Sequence, residues 1–480
     1  MPQTGHDGHG SGGGEPTLLV VLAAIVVLAA SLLLPASSDD DPGTEEAAAP
    51  VEWDERLAPY VDFVAEQREL EWRHAVPAEF LSEAEFRERV TASEEPTEDE
   101  AREIEQFEGV LRALGLIEGD IDLLAAEEQA VAEGILGYYS PEEDVMVIRG
   151  DEVTPELAPV IVHELTHALQ AQHFDLAPEL ELSGEQLAFR TLVEADATRI
   201  EQAYLASRPP AEQDAYYDAQ VEHSEGQDLE DVPPFITELL AFPYALGPAW
   251  LTTVIDERSD NVVDELFREP PSTEEHIVLP GTYLDDEEVS EVESPPLREG
   301  EEAFGEPNDF GMASMLLVLG ERLPWADAWA ATQGWDGDAA VMFRRDDRDC
   351  IRVRFQMDDD RTARALGGTL ERWIGARDDA EVDVVDDLVT FESCDPGTDV
   401  ASAPRDGPRV FDVLALRANL VPALANGVST TVAACVVDHL LLVAPGPART
   451  LELASATDPN GPEAAEIQAH VADGFEGCGP

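Results

Sequence analysis

Lysine is absent from this chain. All 28 basic residues are arginine, against 103 aspartate and glutamate residues, and the formal net charge of the 480-residue chain is −75. This charge argues against nucleic-acid binding, because the phosphates of DNA and RNA would be repelled. Hydrophobic residues make up 44% of the chain, so it is expected to fold around a sizeable core rather than remain disordered.

The acidic surface also indicates the medium in which the protein works. Like charges repel over about 10 Å in 0.1 M salt but over only about 3 Å in 1 M salt. We therefore expect a protein of concentrated brine, and the composition resembles that of proteins from halophilic archaea.

Cysteine is scarce, and no C-x-x-C pair occurs, so a zinc ribbon or zinc finger is not expected. The four cysteines lie in the last third of the chain, which in an exported protein indicates two disulfides. Three pairings are possible. We favour the pairing of neighbours, Cys350–Cys394 and Cys435–Cys478, over the other pairings and over four buried free thiols.

One long apolar run without a charge occupies residues 17–34. As a helix it would be about 27 Å long, near the lower limit for crossing a bilayer core of about 30 Å. It is longer than the apolar core of a typical signal peptide, although small residues at 36–38 offer a cleavage site. We expect a membrane anchor, with a cleaved signal as the alternative. Either way, the remainder should lie at the cell surface or outside the cell.

The organisation predicted from the sequence has three parts. Residues 1–50 form a tail, the apolar segment and an acidic linker. Residues 51–340 form the main domain, mostly helical at its start, with helices near 54–70, 83–90 and 98–114 and a hairpin at 134–148. Capping boxes that begin at Ser82 and Thr97 mark the starts of the second and third helices, and Gly115 marks the end of the third. Residues 341–480 form a smaller α+β module, with strands near 350–355 and 382–391, that holds the cysteines. The fold class is therefore α+β.

The pattern His163-Glu164-Leu165-Thr166-His167 carries the clearest chemistry. Apolar residues flank it at helical spacing, so it is predicted to lie on a helix. On a helix, His163 and His167 lie about 40° apart and one turn along, where their imidazoles can hold one zinc ion. Glu164 is turned about 100° from His163, in position to take a proton from water on the metal.

A third ligand is expected from a second helix, which begins near Ser183 and ends before Pro209. Burying a carboxylate in such an apolar helix is costly unless it is paired or binds a metal. We assign Glu194 as the third ligand, and expect Asp196 to hydrogen-bond a ligand histidine or a nearby arginine. The alternative is that both carboxylates are solvated on a very acidic helix.

A competing site would use His173, six residues after His167. The three-histidine site needs a glycine to bend the chain back to the metal, and Gln170 stands in its place. His173 is therefore interpreted as a helix-end or structural residue.

The residues that would stabilise an oxyanion carry no sequence signal. Tyr204, Tyr216, Tyr217 and His223 lie downstream of the motif, and each alone is more typical of a structural residue. The run at 270–276 either shapes the cleft or is a loop.

Five segments together resemble a group of surface proteins, common in halophilic archaea, that are similar to gluzincin-type metallopeptidases. They are GYYSP (137–141), HELTHALQAQHFDL (163–176), LVEADA (192–197), PPSTEEHIVLPGTY (270–283) and ATQGWDGD (331–338). The resemblance covers about residues 51–340, and extends to the region of Cys394. It implies a zincin-like domain in which Glu194 completes the zinc site. The gap from His167 to Glu194 is longer than in several gluzincins, and Ala195 replaces their usual glycine.

The function expected from these observations is a zinc-dependent cell-surface peptidase acting on protein or peptide substrates. An extended substrate would lie along an edge strand supplied by the hairpin. The first alternative is a non-catalytic, zinc-stabilised surface or envelope binding protein. The second is a brine-adapted adhesion protein in which the motif is accidental.

Overall fold

The computed structural model describes residues 52–91, 96–176, 184–258, 262–305, 308–400, 407–425, 427–455 and 461–479. The predicted tail, apolar segment 17–34 and acidic linker lie outside the described residues. Helices and strands are both present, in an α+β arrangement with two separate sheets, as the sequence predicted.

The first part of the chain alternates short helices with the strands of a small sheet. Its elements are α1 (Ala58–Arg68), β1 (Ala78–Leu81), α2 (Glu83–Val90), α3 (Glu98–Leu114), α4 (Leu123–Gly134), β2 (Gly137–Ser140) and β3 (Val145–Arg149). Capping boxes open α2 at Ser82 and α3 at Thr97, and Gly115 ends α3 in the left-handed conformation. All three helix boundaries were predicted from these residues.

The small sheet has the strand order β1–β3–β2, with β1 parallel and β2 antiparallel to β3. The predicted hairpin is therefore confirmed as β2 and β3, and β2 lies at an edge of the sheet. Tyr138, in the middle of β2, pairs with Val147 of β3.

Four long helices follow and pack on one another, and the first of them also packs on this sheet. They are α5 (Ala158–His173), α6 (Gly184–Ala206), α7 (Pro210–Gly226) and α8 (Pro234–Glu257). Helices α6 and α8 approach very closely at Gly247: a Cβ atom there would lie 2.9 Å from the Thr191 carbonyl oxygen and 3.0 Å from the Ala195 Cβ. Glycine is required at this position because only a residue without a side chain fits.

Short elements connect these helices to the second sheet. They are α9 (Val263–Leu266), α10 (Glu274–Val278), α11 (Pro280–Leu284), β4 (Glu302–Ala303), α12 (Met312–Gly320) and α13 (Trp325–Thr332). The 270–276 run proves to be a capping segment. Thr273 accepts a hydrogen bond from the His276 amide at the start of α10, and Glu274 accepts one of 2.8 Å from the Ala313 amide at the start of α12.

The second sheet has the strand order β4–β5–β6–β8–β7, all antiparallel, with α12 and α13 between β4 and β5 in sequence and one further helix between β6 and β7. Its further elements are β5 (Trp335–Arg345), β6 (Arg348–Met357), α14 (Asp360–Ile374), β7 (Ala380–Val385) and β8 (Leu388–Cys394). The predicted strand at 382–391 is instead a hairpin, because Asp386 adopts a positive φ and turns the chain. The predicted boundary between residues 340 and 341 falls inside β5.

Four helices complete the chain: α15 (Val410–Leu424), α16 (Thr430–Leu442), α17 (Pro447–Ala454) and α18 (Pro462–Cys478). The disulfides Cys350–Cys394 and Cys435–Cys478 join β6 to β8 and α16 to α18, so the favoured pairing is confirmed. Within the described ranges, no single helix has the length and apolar composition to span a membrane; the sharply bent pair α16 and α17 meets those two criteria together.

The two sheets belong to one packed assembly of elements. Helix α3 lies on β6 and β8, where the Ser393 hydroxyl donates a 2.7 Å hydrogen bond to the Ala113 carbonyl and Arg112 pairs with Asp395 at 3.0 Å. Behind this contact lies a buried sheet ion-pair cluster, defined by Glu301, Arg352 and Glu392.

Candidate metal centre

Helix α5 is buried almost all round. Pro159 stands in its first turn, where no amide donor is needed, and the side chains from Ala158 to Gln170 are all buried. A buried helix of this kind brings His163 and His167 to the interior, where α6 crosses it. The structure thus confirms the predicted helix.

Three predicted ligand residues converge at the crossing of α5 and α6. The Glu194 Oε2 atom lies 3.1 Å from His163 Nε2 and 3.2 Å from His167 Nε2. The ligand atoms of a tetrahedral zinc ion lie about 3.3 Å apart, given bonds of about 2.0–2.2 Å. Among the described residues, this is the one group of histidine, cysteine or acidic side chains with metal-binding spacing. Its geometry and its donor set both fit zinc.

The ring of His163 is held from its other side by Glu201. The Glu201 Oε2 atom lies 3.0 Å from His163 Nδ1, and its Oε1 atom accepts a 2.5 Å hydrogen bond from the Tyr216 hydroxyl. Burial alone would lower the pKa of His163, but Glu194 and Glu201 outweigh it and raise the pKa to about 9. A carboxylate on Nδ1 leaves Nε2 as the metal-facing atom and makes the imidazole a stronger ligand.

The ring of His167 is oriented by an amide rather than a carboxylate. Its Nδ1 atom lies 3.0 Å from Gln170 Oε1, and Gln170 Nε2 donates a 2.9 Å hydrogen bond to Asp196. Asp196 also pairs with Arg68 and Arg199, each at 2.8 Å. Asp196 therefore contacts arginine, as expected, but reaches a histidine only through Gln170.

Glu194 is held in its ionised form. Burial would raise its pKa, but the His167 and His163 rings lower it well below its usual range. The ionised form is the one in which a glutamate binds a metal ion.

Glu164 lies next to this centre and touches the edge strand β2. Its Oε2 atom accepts a 2.8 Å hydrogen bond from the Tyr139 amide, whereas its Oε1 atom is buried and has no partner in the described structure. Burial raises the pKa of Glu164 well above its usual range, although His167 opposes the shift. Burial thus makes the ionised form of Glu164 a stronger base than an exposed glutamate.

Tyr244, on α8, is a site residue that the sequence did not indicate. Its hydroxyl is buried near the Glu194 carboxylate and makes no normal hydrogen bond. Its pKa is raised well above the usual range by burial and by Glu194, against the opposing charge of Arg190. The close contact at Gly247, one turn further along α8, brings this hydroxyl to the metal centre.

The four oxyanion candidates named from the sequence have other contacts. Tyr216 binds Glu201, Tyr217 binds Gln202, and Tyr204 packs edge-on against aromatic rings of α1. His223 is half-buried and lies near Arg149.

His173 is the last residue of α5, and its Nε2 atom lies 2.8 Å from the Glu71 carbonyl oxygen. It lies outside the converging group, which agrees with its interpretation as a helix-end residue.

Glu201 could have been found from the sequence, because it lies seven residues after Glu194 and so on the same face of the helix. Tyr244 has no such signal, since only the packing of α6 on α8 brings it there.

Comparison with known proteins adds one match. A family model described as a domain of unknown function (DUF8575) matches residues 298–425, which hold the second sheet and α15 but none of the candidate metal ligands. No curated protein and no solved structure matches the chain.

Proposed function

We propose that the protein is a zinc-dependent peptidase of zincin-like type, anchored at the cell surface by residues 17–34 and adapted to high salt. The observation that carries the proposal is the convergence of His163, His167 and Glu194 beside a buried carboxylate, Glu164, with an unpartnered oxygen. Bound zinc would supply a Lewis acid that lowers the pKa of water to about 7 and polarises a peptide carbonyl.

Glu164 would act as the general base. Its free Oε1 atom would accept the proton of the attacking water and then pass that proton to the leaving amine. The Tyr139 amide holds the other oxygen, so the carboxylate keeps its orientation during both proton transfers.

The edge strand and Tyr244 would position the substrate. Among the described strands, β2 pairs with β3 alone, so an extended peptide would add to its other edge through main-chain hydrogen bonds. The buried Tyr244 hydroxyl would donate a hydrogen bond to the carbonyl oxygen as negative charge develops there.

The decisive experiment is Glu164→Gln, with peptide hydrolysis and zinc content both measured in molar salt. We expect one zinc per chain to remain while kcat/KM falls by about 10²- to 10⁴-fold. The matched control is Glu371→Gln, which makes the same change on an exposed face of α14 and should leave both values unchanged. Full activity in the Glu164 variant would refute the mechanism.

The burial of the centre favours a second candidate, a non-catalytic zinc-stabilised surface protein. His163, Glu194 and His167 are only 1%, 4% and 6% exposed, and structural zinc sites are closed whereas catalytic ones keep an open position. A cavity of about 520 Å³ in the described structure is lined by other residues, among them Arg149 and Gln220. Zinc binding without hydrolysis of any peptide tested, in the wild type, would favour this candidate.

A further inference from the structure

Arg190 is unusual among the arginines of this chain. It lies on α6, and its Nε and Nη2 atoms are both buried without a hydrogen-bond partner. Among the described residues, it is the one arginine with two such atoms. Because guanidinium does not lose its proton in proteins, the cost of burying it cannot be relieved by neutralisation.

This unpaired cation occurs in a protein with 103 acidic residues, where buried arginines elsewhere have carboxylate partners. Arg68 pairs with Asp196, and Arg417 pairs with Asp438 at 2.7 Å. The composition of the chain therefore does not prevent an arginine from pairing with a carboxylate. The two N–H groups at Arg190 are left for a partner that is not part of the described chain.

The position of Arg190 connects it to the metal centre. It precedes Glu194 by four residues, so the two side chains share a helix face and their Cα atoms lie about 6 Å apart along the axis. Arg190 also lies close enough to Tyr244 for its charge to act on the hydroxyl. Arg190 is partly exposed, whereas His163, Glu194 and Tyr244 are buried.

We infer that Arg190 binds a carboxylate of the substrate, one or two residues from the cleaved bond. The planar guanidinium binds carboxylates through two parallel hydrogen bonds. Two residues of extended peptide span about 6.6 Å, close to the offset of about 6 Å along α6. The inference rests on the proposed peptidase function, and it narrows the substrate class to peptides with a free C-terminal carboxylate or an acidic side chain there.

The test measures binding rather than turnover. Three acetylated tripeptides are titrated into zinc-loaded Glu164→Gln protein in molar salt. One ends in a free carboxylate, one ends in an amide, and one ends in a glutamate whose α-carboxyl group is an amide. We expect at least one carboxylate peptide to bind about 10- to 100-fold more tightly than the plain amide. Adding Arg190→Gln should remove that preference and leave amide binding unchanged.

The matched control is Arg364→Gln, which removes the same charge from an exposed ion pair on α14 and should leave the preference intact. The inference is overturned if the acid and amide peptides bind equally or if neither binds measurably. It is also overturned if the preference for the acid survives Arg190→Gln. If Arg190→Gln does not fold, the acid–amide comparison in the protein that retains Arg190 decides. Cleavage by the wild type is assayed separately, so failure of the peptidase proposal is distinguishable from failure at Arg190.

Discussion

Two buried clusters of charge in this protein are built in opposite ways. In the sheet ion-pair cluster, Arg352 lies 2.7 Å from both Glu301 and Glu392, and Arg345 lies 2.6 Å from Glu392. Burial would raise the pKa of Glu301, but Arg352 and its neighbours lower it. Here acid and base are matched, and the charges satisfy one another.

The metal centre has no such balance. Glu164 keeps one oxygen without a partner, the Tyr244 hydroxyl makes no hydrogen bond, and two nitrogens of Arg190 are unpaired. Buried polar groups are normally satisfied, so unsatisfied groups that cluster in one place need a reason. The sheet ion-pair cluster thus has its charges paired within the fold, whereas the unpaired groups of the candidate metal centre agree with the proposed binding of a ligand.

The sheet ion-pair cluster should be the more sensitive of the two to a single substitution. Arg352→Met leaves Glu301 and Glu392 buried without their main partner, which we expect to cost about 3–5 kcal/mol in the free energy of unfolding. Denaturant titration in molar salt measures this. Zinc content should not change, and Arg364→Gln should be nearly neutral. A loss below about 1 kcal/mol would show that the matched charges add little.

At the candidate metal centre, the free energy of unfolding should depend on bound zinc more than on ion pairs among the residues of the centre. We expect zinc at 100 to 1,000 times its Kd to stabilise the wild type by about 3–4 kcal/mol. Glu194→Ala should abolish this gain, because two histidines alone hold zinc weakly. The measurement is the melting temperature with and without zinc, alongside zinc content by plasma mass spectrometry. An equal gain in the variant would place the metal elsewhere.

Local signals predicted the parts of this site that lie within one helix. The spacing of His163 and His167 was sufficient for their placement, and the apolar setting of Glu194 identified it on a second helix. Capping residues likewise fixed the limits of α2 and α3, since these depend on contacts within a few residues.

Features that depend on contacts between distant segments could not be predicted. Tyr244 reaches the centre only because Gly247 lets α8 approach α6, and neither fact is visible locally. Strand β5, which links the predicted parts of the chain, has a β-bulge between Trp335 and Asp338 and gave no clear alternation. The segment 382–391 was predicted as one strand, whereas the chain turns at Asp386. This turn needs a left-handed backbone conformation, which aspartate adopts only sometimes.

Glu238 is a third buried acidic residue, partly compensated by an arginine and so intermediate between the two clusters. Its effect on the free energy of unfolding should be the smallest of the three. Burial raises the pKa of Glu238 to about 6 from an ordinary value of 4.5, although its partner Arg409 opposes the shift. The folded protein thus binds this proton more tightly than the unfolded chain. Its contribution to stability is complete below pH 4.5 and is lost as the pH rises through about 6.

Glu238→Gln, which stays neutral, should therefore gain about 1–2 kcal/mol over the wild type between about pH 4 and pH 7. Melting temperatures across that range measure the difference, with Glu371→Gln as the exposed control. A difference that does not change with pH would show that Arg409 compensates the burial of Glu238 fully.

The contact between α6 and α8 has a consequence for finding related proteins. Ala195 and Gly247 touch so closely that a larger side chain at either position would separate the helices and withdraw Tyr244 from Glu194. The two small residues, Ala195 and Gly247, are thus needed to bring Glu194 and Tyr244 together, although the two pairs lie about fifty positions apart in the sequence. A search that requires Glu-Ala together with Tyr-x-x-Gly, after His-Glu-x-x-His, would separate chains able to build this centre from those in which the short motif arose by chance.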